Sequence, residues 1–151
     1  MKKLILFAFC LMLSLSSIGA QTTEDAKYKI NPTKDKSPSG VYIPRNLDDC
    51  FKELKKMLSP ELIKEMETGA EANMTKYHRG LGMWIRNNWG LWSGSRLKTY
   101  FNDLGVRHPD DMSGVILTSF WRNLNNKPIQ LKEQIKYYQD YWKRVKEQKE
   151  N

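Results

Sequence analysis

The apolar residues of this chain recur three and four apart, the spacing that lines one face of an α-helix. In "GSRLKTYFNDLG", Leu97, Tyr100, Phe101 and Leu104 follow at i, i+3, i+4 and i+7, and Gly105 stands where a helix C-terminus takes glycine. "HPDDMSGVILTSFWRNLNN" places Met112, Ile116, Phe120 and Leu124 on one face until Asn125, Asn126 and Pro128 stop it. "QLKEQIKYYQDYWKRVKEQ" carries a narrow stripe of Leu131, Ile135, Tyr138, Trp142 and Val145. No strand pattern or internal repeat of comparable strength accompanies these segments. The expected fold is mainly α: a compact bundle of about five or six short helices with no substantial sheet.

Punctuation marks further helices. Asn46 can cap a helix that runs to about Leu58, with Asp48 and Asp49 favourable to its dipole. "SPEL" starts a second, with Ser59 as cap and Pro60 at its first position, and Gly69 ends it. A third helical stretch begins around Ala70 to Met74.

The N-terminal twenty residues read as an export signal, with Lys2 and Lys3 basic, "LILFAFCLMLSL" apolar, and "SSIGA" ending in small Ala20. The unbroken apolar run from Leu4 to Leu13 is far short of the ~20 residues that span a bilayer. The expected destination is therefore periplasmic or extracellular, with a chain start at Gln21 and no stable membrane span after cleavage. Residues 21–40 are poor in apolar side chains and contain two prolines, the composition of a flexible leader. Residues 41–148 then form a single helical domain, the last helix covering 131–148.

Removing the signal leaves 23 Lys and Arg against 17 Asp and Glu, from 25 less the two signal lysines. The +6 excess alternates in sign along the chain, as on an ordinary solvated surface. Export argues against a nucleic-acid partner and leaves a protein or an envelope glycan. Only Cys50 follows the signal, so no disulfide can form within the exported chain. Helical spacing sets Cys50 beside Leu47, Phe51, Leu54 and Leu58, as a small buried hydrophobe.

Two clusters could carry function. In "YHRGLGMWIRNNWGLWSGSRL", an unbroken helix would place Met74, Tyr77, Leu81, Trp84, Ile85, Trp89 and Trp92 on one face, with His78 and Asn88. Arg79, Arg86 and Asn87 would point elsewhere. Gly80, Gly82 and Gly90 each cost ~1 kcal/mol against alanine in a helix, so they imply a bend or a close approach. The stretch is either a packed aromatic core with His78 and Asn88 as satisfied polar groups, or a ligand-facing groove where tryptophans stack and Arg and Asn direct hydrogen bonds.

The second cluster is "RHPDDMS". His108 or its neighbour caps a helix, Pro109 takes the first turn, and Asp110 and Asp111 face the N-terminal dipole. Adjacent aspartates there diverge by ~100°, unlike a glycosidase pair. A functional reading would bring His108, Asp110 and Asp111 together with His78 as metal ligands, or take His78 or His108 as base with Asp111 orienting it. The spacing matches no HExxH or paired-cysteine metal signature, and no cofactor motif appears.

Three stretches, "IPRNLDDCFKELKKMLSPEL", "YHRGLGMWIRNNWGLWSGSRLKTYF" and "LGVRHPDDMSGVILTSFWRNLN", carry a resemblance to a family of small bacterial domains of unknown function, from about Ile43 to Pro128. The resemblance implies domain boundaries and assigns no catalytic residue. The sequence thus leads to a non-catalytic, exported interaction module, with Trp84, Arg86, Asn87, Trp89, Trp92, His108, Asp110 and Asp111 as binding candidates. A hydrolase of an envelope polymer is the alternative, and an inhibitor of a toxin or protease a third possibility.

Overall fold

The computed structural model describes residues 35–150, so the expected signal and residues 21–34 of the leader lie outside the described residues. Asn46 accepts the Asp49 amide at 3.0 Å and starts α1 (Leu47–Met57). Ser59 caps α2 (Pro60–Thr68) in the same way. A 3₁₀ segment (Glu71–Tyr77) runs into a π-helical turn (His78–Gly82) and then α3 (Met83–Asn88). α4 (Arg96–Asp103), α5 (Pro109–Leu124) and α6 (Leu131–Glu150) complete the bundle. Among the described residues there is no strand, only one antiparallel bridge between Lys36 and Tyr42.

α5 is the axis, and every other helical element packs against it. Periodicity identifies one apolar face, but Val115, Leu117 and Trp121 are buried as well, because helices surround α5 on several sides. Phe101, Ile85, Trp89, Leu54 and Phe120 close the core with Cys50, whose thiol burial pushes well above the usual range. Trp121 donates its indole N–H to the Gly69 carbonyl at 2.8 Å, and Arg122 joins Glu71 to the turn before α6.

The packed unit begins before the expected leader boundary at Gly40. Ser37 and Ile43 amides bond to Val41 and Asp35 carbonyls, folding residues 35–43 back on themselves through Gly40 at φ +80°. Buried Arg96 of α4 fastens this strap: Nη1 donates to Asp35 at 2.9 Å, and Nε to the Ile43 carbonyl at 2.8 Å. Composition misses it because a single distant arginine supplies the partners. Next to it, burial works to raise the Asp49 carboxyl, but the Tyr42 hydroxyl and the Arg45 amide and guanidinium together hold it below its usual range.

Candidate functional site

The opening aromatic stretch is not one helix. The π turn shifts the angular register after Tyr77, and α3 ends at Asn88 with Trp89 as its C-cap, followed by Gly90 at φ +66°. That left-handed turn lets Leu91 enter the core and throws Trp92 outward. Trp89 is 1 % exposed and Trp92 52 %. Trp84 is half-buried, edge-on to Trp89 with centroids 6.0 Å apart. The expected single tryptophan face is therefore corrected: Trp89 is core and cannot meet a ligand, Trp84 packs against the core, and Trp92 is surface.

Arg86 and Asn87 also part company. Asn87 is exposed, whereas Arg86 is buried and points to another element, the central helix α5, rather than to solvent. Its Nη1 donates to Ser113 Oγ at 2.8 Å and approaches the His78 carbonyl at 3.4 Å. Its Nε lies 3.0 Å from Asp110 Oδ1, close enough for charge attraction but off the N–H axis, so that contact is an ion pair without a hydrogen bond. The π turn that ends at Gly82 leads into α3 with the guanidinium under α5, where a side chain on Gly82 would crowd it. Arg86→Ala is consequently expected to lose about 1–3 kcal/mol of stability, by stripping partners from buried polar groups, and urea unfolding measures it. An unchanged midpoint would mean that Arg86 is not fixed inside.

The two sequence clusters meet at the start of α5. His78 Nε2 lies 3.6 Å from Asp110 Oδ1, and His108 Nδ1 3.5 Å from Asp110 Oδ2. His108 is the helix cap: its Nδ1 accepts the Asp110 amide at 3.3 Å. That bond uses the Nδ1 lone pair, so the neutral capping ring carries its proton on Nε2. Asp111, the expected orienting group of a histidine base, forms no ion pair with either ring. Its Oδ2 instead accepts the Trp142 indole N–H at 2.6 Å. Among the described residues no group of three or more His, Cys, Asp or Glu is placed to hold a metal.

α6 supplies what the sequence reading treats as an ordinary apolar stripe. Trp142 lies against His108 with centroids 5.3 Å apart at 34°, and Trp92 meets His108 edge-on at 6.0 Å. Tyr141 adds a further ring beside Trp142 at 5.3 Å. Trp142 keeps 42 % exposure, which periodicity alone cannot distinguish from core. His108 and Trp142, the middle of the row, line a cleft of about 490 Å³ between the α4–α5 turn and α6, together with Gly105, Val106, Arg107, Asp111, Tyr138 and Gln139. Tyr138 separates it from a second cavity of about 620 Å³ that reaches His78, Thr75 and Thr118. Its hydroxyl sits against Gly114, where a Cβ would collide, and burial pushes its pKa up to about 12.

Burial also raises the Asp111 carboxyl, although the Trp142 hydrogen bond opposes the shift. The folded chain therefore holds this proton more tightly than the unfolded chain does. The resulting stabilisation is full below the unfolded pKa of about 3.9 and is lost as pH rises through the raised folded value. Asp111→Asn keeps the acceptor for Trp142 and removes the charge. The unfolding free energy of this variant minus that of the wild type is expected to rise between about pH 3 and pH 6, followed by urea titration. A flat or falling difference would contradict the assignment.

The fold and site define an all-helical domain with an aromatic cleft at the start of its central helix. The match to a family model, "Domain of unknown function (DUF6794)", over residues 43–124 covers more than half of the chain, which belongs to that family. α6, with Tyr138 and Trp142, lies beyond the matched residues. No curated protein and no solved structure matches the chain.

Proposed function

We propose that this protein is an exported, non-catalytic binding module for an envelope component, and that the aromatic cleft between the α4–α5 turn and α6 is its recognition surface. The observation that carries the reading is the contiguous row Trp92, His108, Trp142 and Tyr141, with both tryptophans about half exposed beside a preformed cleft. Export rests on the basic, apolar and small-residue pattern of residues 1–20. Within the candidate set, His108 and Asp111 line the cleft, Trp92 touches it only through the His108 ring, Asp110 and Arg86 hold the start of α5, and Trp84 and Trp89 support it from inside. The histidines suit this role because His108 serves as cap and ring partner, and His78 faces the same Asp110.

The test titrates envelope polymer and protein fractions into the ¹⁵N-labelled protein while the indole N–H signals of Trp92 and Trp142 are followed. Saturable shifts at both, with the Trp142 shift lost in Trp92→Ala, support the reading. Shifts only at other sites, or none, overturn it. Mass spectrometry of the same mixtures searches for new products. Products lost in His78→Ala or His108→Ala would replace the binding reading with the hydrolase one. Cell fractionation with N-terminal mass analysis checks export, and an intact Met1 in the cytoplasm would refute it.

A further inference from the structure

The cleft holds more than rings, and its polar groups narrow the ligand. Arg107 at the mouth is exposed, and Gln139 lies over Gly105, where its carboxamide leaves no room for a side chain. Neither makes a hydrogen bond or ion pair with another described residue. Asp111, deeper in, has one oxygen taken by Trp142 and keeps acceptor capacity on the other. One guanidinium donor, one carboxamide that donates and accepts, and one carboxylate acceptor thus surround an indole.

That indole is held in place. Its N–H is fixed on Asp111, and its ring is set against His108, which is itself fixed as the cap of α5. A ligand finds the plane already formed and loses little in ordering it. Trp92 extends the aromatic edge on the other side of His108.

Resting on the binding-module reading, we infer that the ligand of this cleft is a saccharide: a short segment of an envelope glycan, with one sugar ring stacked at Trp142 and hydroxyl groups met by Arg107, Gln139 and Asp111. A pyranose has a C–H face that packs on an aromatic ring and a rim of hydroxyls that each donate and accept. It therefore needs a flat apolar surface next to mixed, planar hydrogen-bonding side chains, which is the set assembled here. A purely apolar ligand would cover the free Asp111 oxygen without pairing it. An extended peptide added by strand pairing needs a sheet edge, and the only bridge among the described residues, Lys36 with Tyr42, lies in the strap fastened to α4. A helical peptide needs a continuous groove, but Tyr138 divides this surface into two cavities. The volume of about 490 Å³ suits a ligand of few rings.

The experiment uses the full chain without its first twenty residues, titrated by calorimetry and by indole N–H signals. The probes are triacetylchitotriose, cellotriose, and the oligosaccharides released from envelope polymer by enzymatic digestion. At least one is expected to shift Trp142 and Trp92 saturably. Gln139→Ala, Arg107→Ala and Trp92→Ala, all at exposed positions, should each weaken it about tenfold while the melting temperature stays within about 2 °C. Saccharide binding indifferent to all three substitutions would overturn the site. If envelope proteins shift the two indole signals and no saccharide does, the ligand assignment falls and the binding-module reading stands. If neither does, both fall.

Discussion

Arg96→Ala is expected to cost about 3–5 kcal/mol, enough to lower the melting temperature by more than about 10 °C. Its side chain is 7 % exposed, and that of its partner Asp35 is 11 % exposed. The guanidinium also donates to the Ile43 carbonyl and lies over the Tyr42 ring with 4.8 Å between its central carbon and the centroid. Truncation strands a carboxylate and a carbonyl in a place water reaches poorly, so the cost is that of unpaired groups as well as of lost bonds. Arg96→Lys should recover only part of it, because a single ammonium cannot reproduce the planar fork that serves two acceptors at once. Thermal unfolding of the two variants, with Asp35→Ala and the double variant, separates the pair from the rest. A loss in the double variant equal to the sum of the single losses would show that Arg96 and Asp35 do not act together.

Trp89→Ala should be comparably severe, about 3–5 kcal/mol, whereas Trp92→Ala should change stability by no more than about 0.5 kcal/mol. The two residues stand three apart in one motif and have opposite environments. Trp89 fills the core against Trp84, and removing it leaves a cavity that α3 and α5 cannot collapse to fill. Trp92 loses only an edge contact with His108. Acrylamide quenching offers an independent check: the Trp92→Phe variant should lose a large share of quenchable emission, and Trp89→Phe almost none. The reverse pattern would exchange the roles assigned to the two indoles.

Helix positions were readable because their determinants are local. Asn46, Ser59, Ser95 and His108 stand at the caps, Pro60 and Pro109 at first positions, and Gly105 at φ +85° just beyond α4. Apolar spacing identified the inner face of α4, and Cys50 is as buried as its helical neighbours implied. The stretch from Glu71 to Trp92 resisted the same logic. A 3₁₀ segment followed by a π turn changes the residues per turn twice within twelve residues, so a constant 100° step assigns Trp92 to the wrong side and does not settle whether Arg86 meets solvent or another element. Nothing short-range signals that change except the glycines, which announce an irregularity without giving its direction.

By itself the sequence determined that the domain is helical, where most helices begin and end, and that two clusters rich in Trp, His, Arg and Asp stand apart from an ordinary core. Capping, turn chemistry and periodicity act over a few residues, and a single chain displays them. Only the tertiary structure decided that these clusters meet over Asp110, that Asp111 answers to Trp142 rather than to a histidine, and that Arg96 secures a strap the composition assigned to a leader. Each of those pairings joins groups 24 to 61 residues apart. Whether a polar side chain becomes a buried tie or an open contact depends on what the rest of the fold brings opposite it, and local spacing carries no record of that.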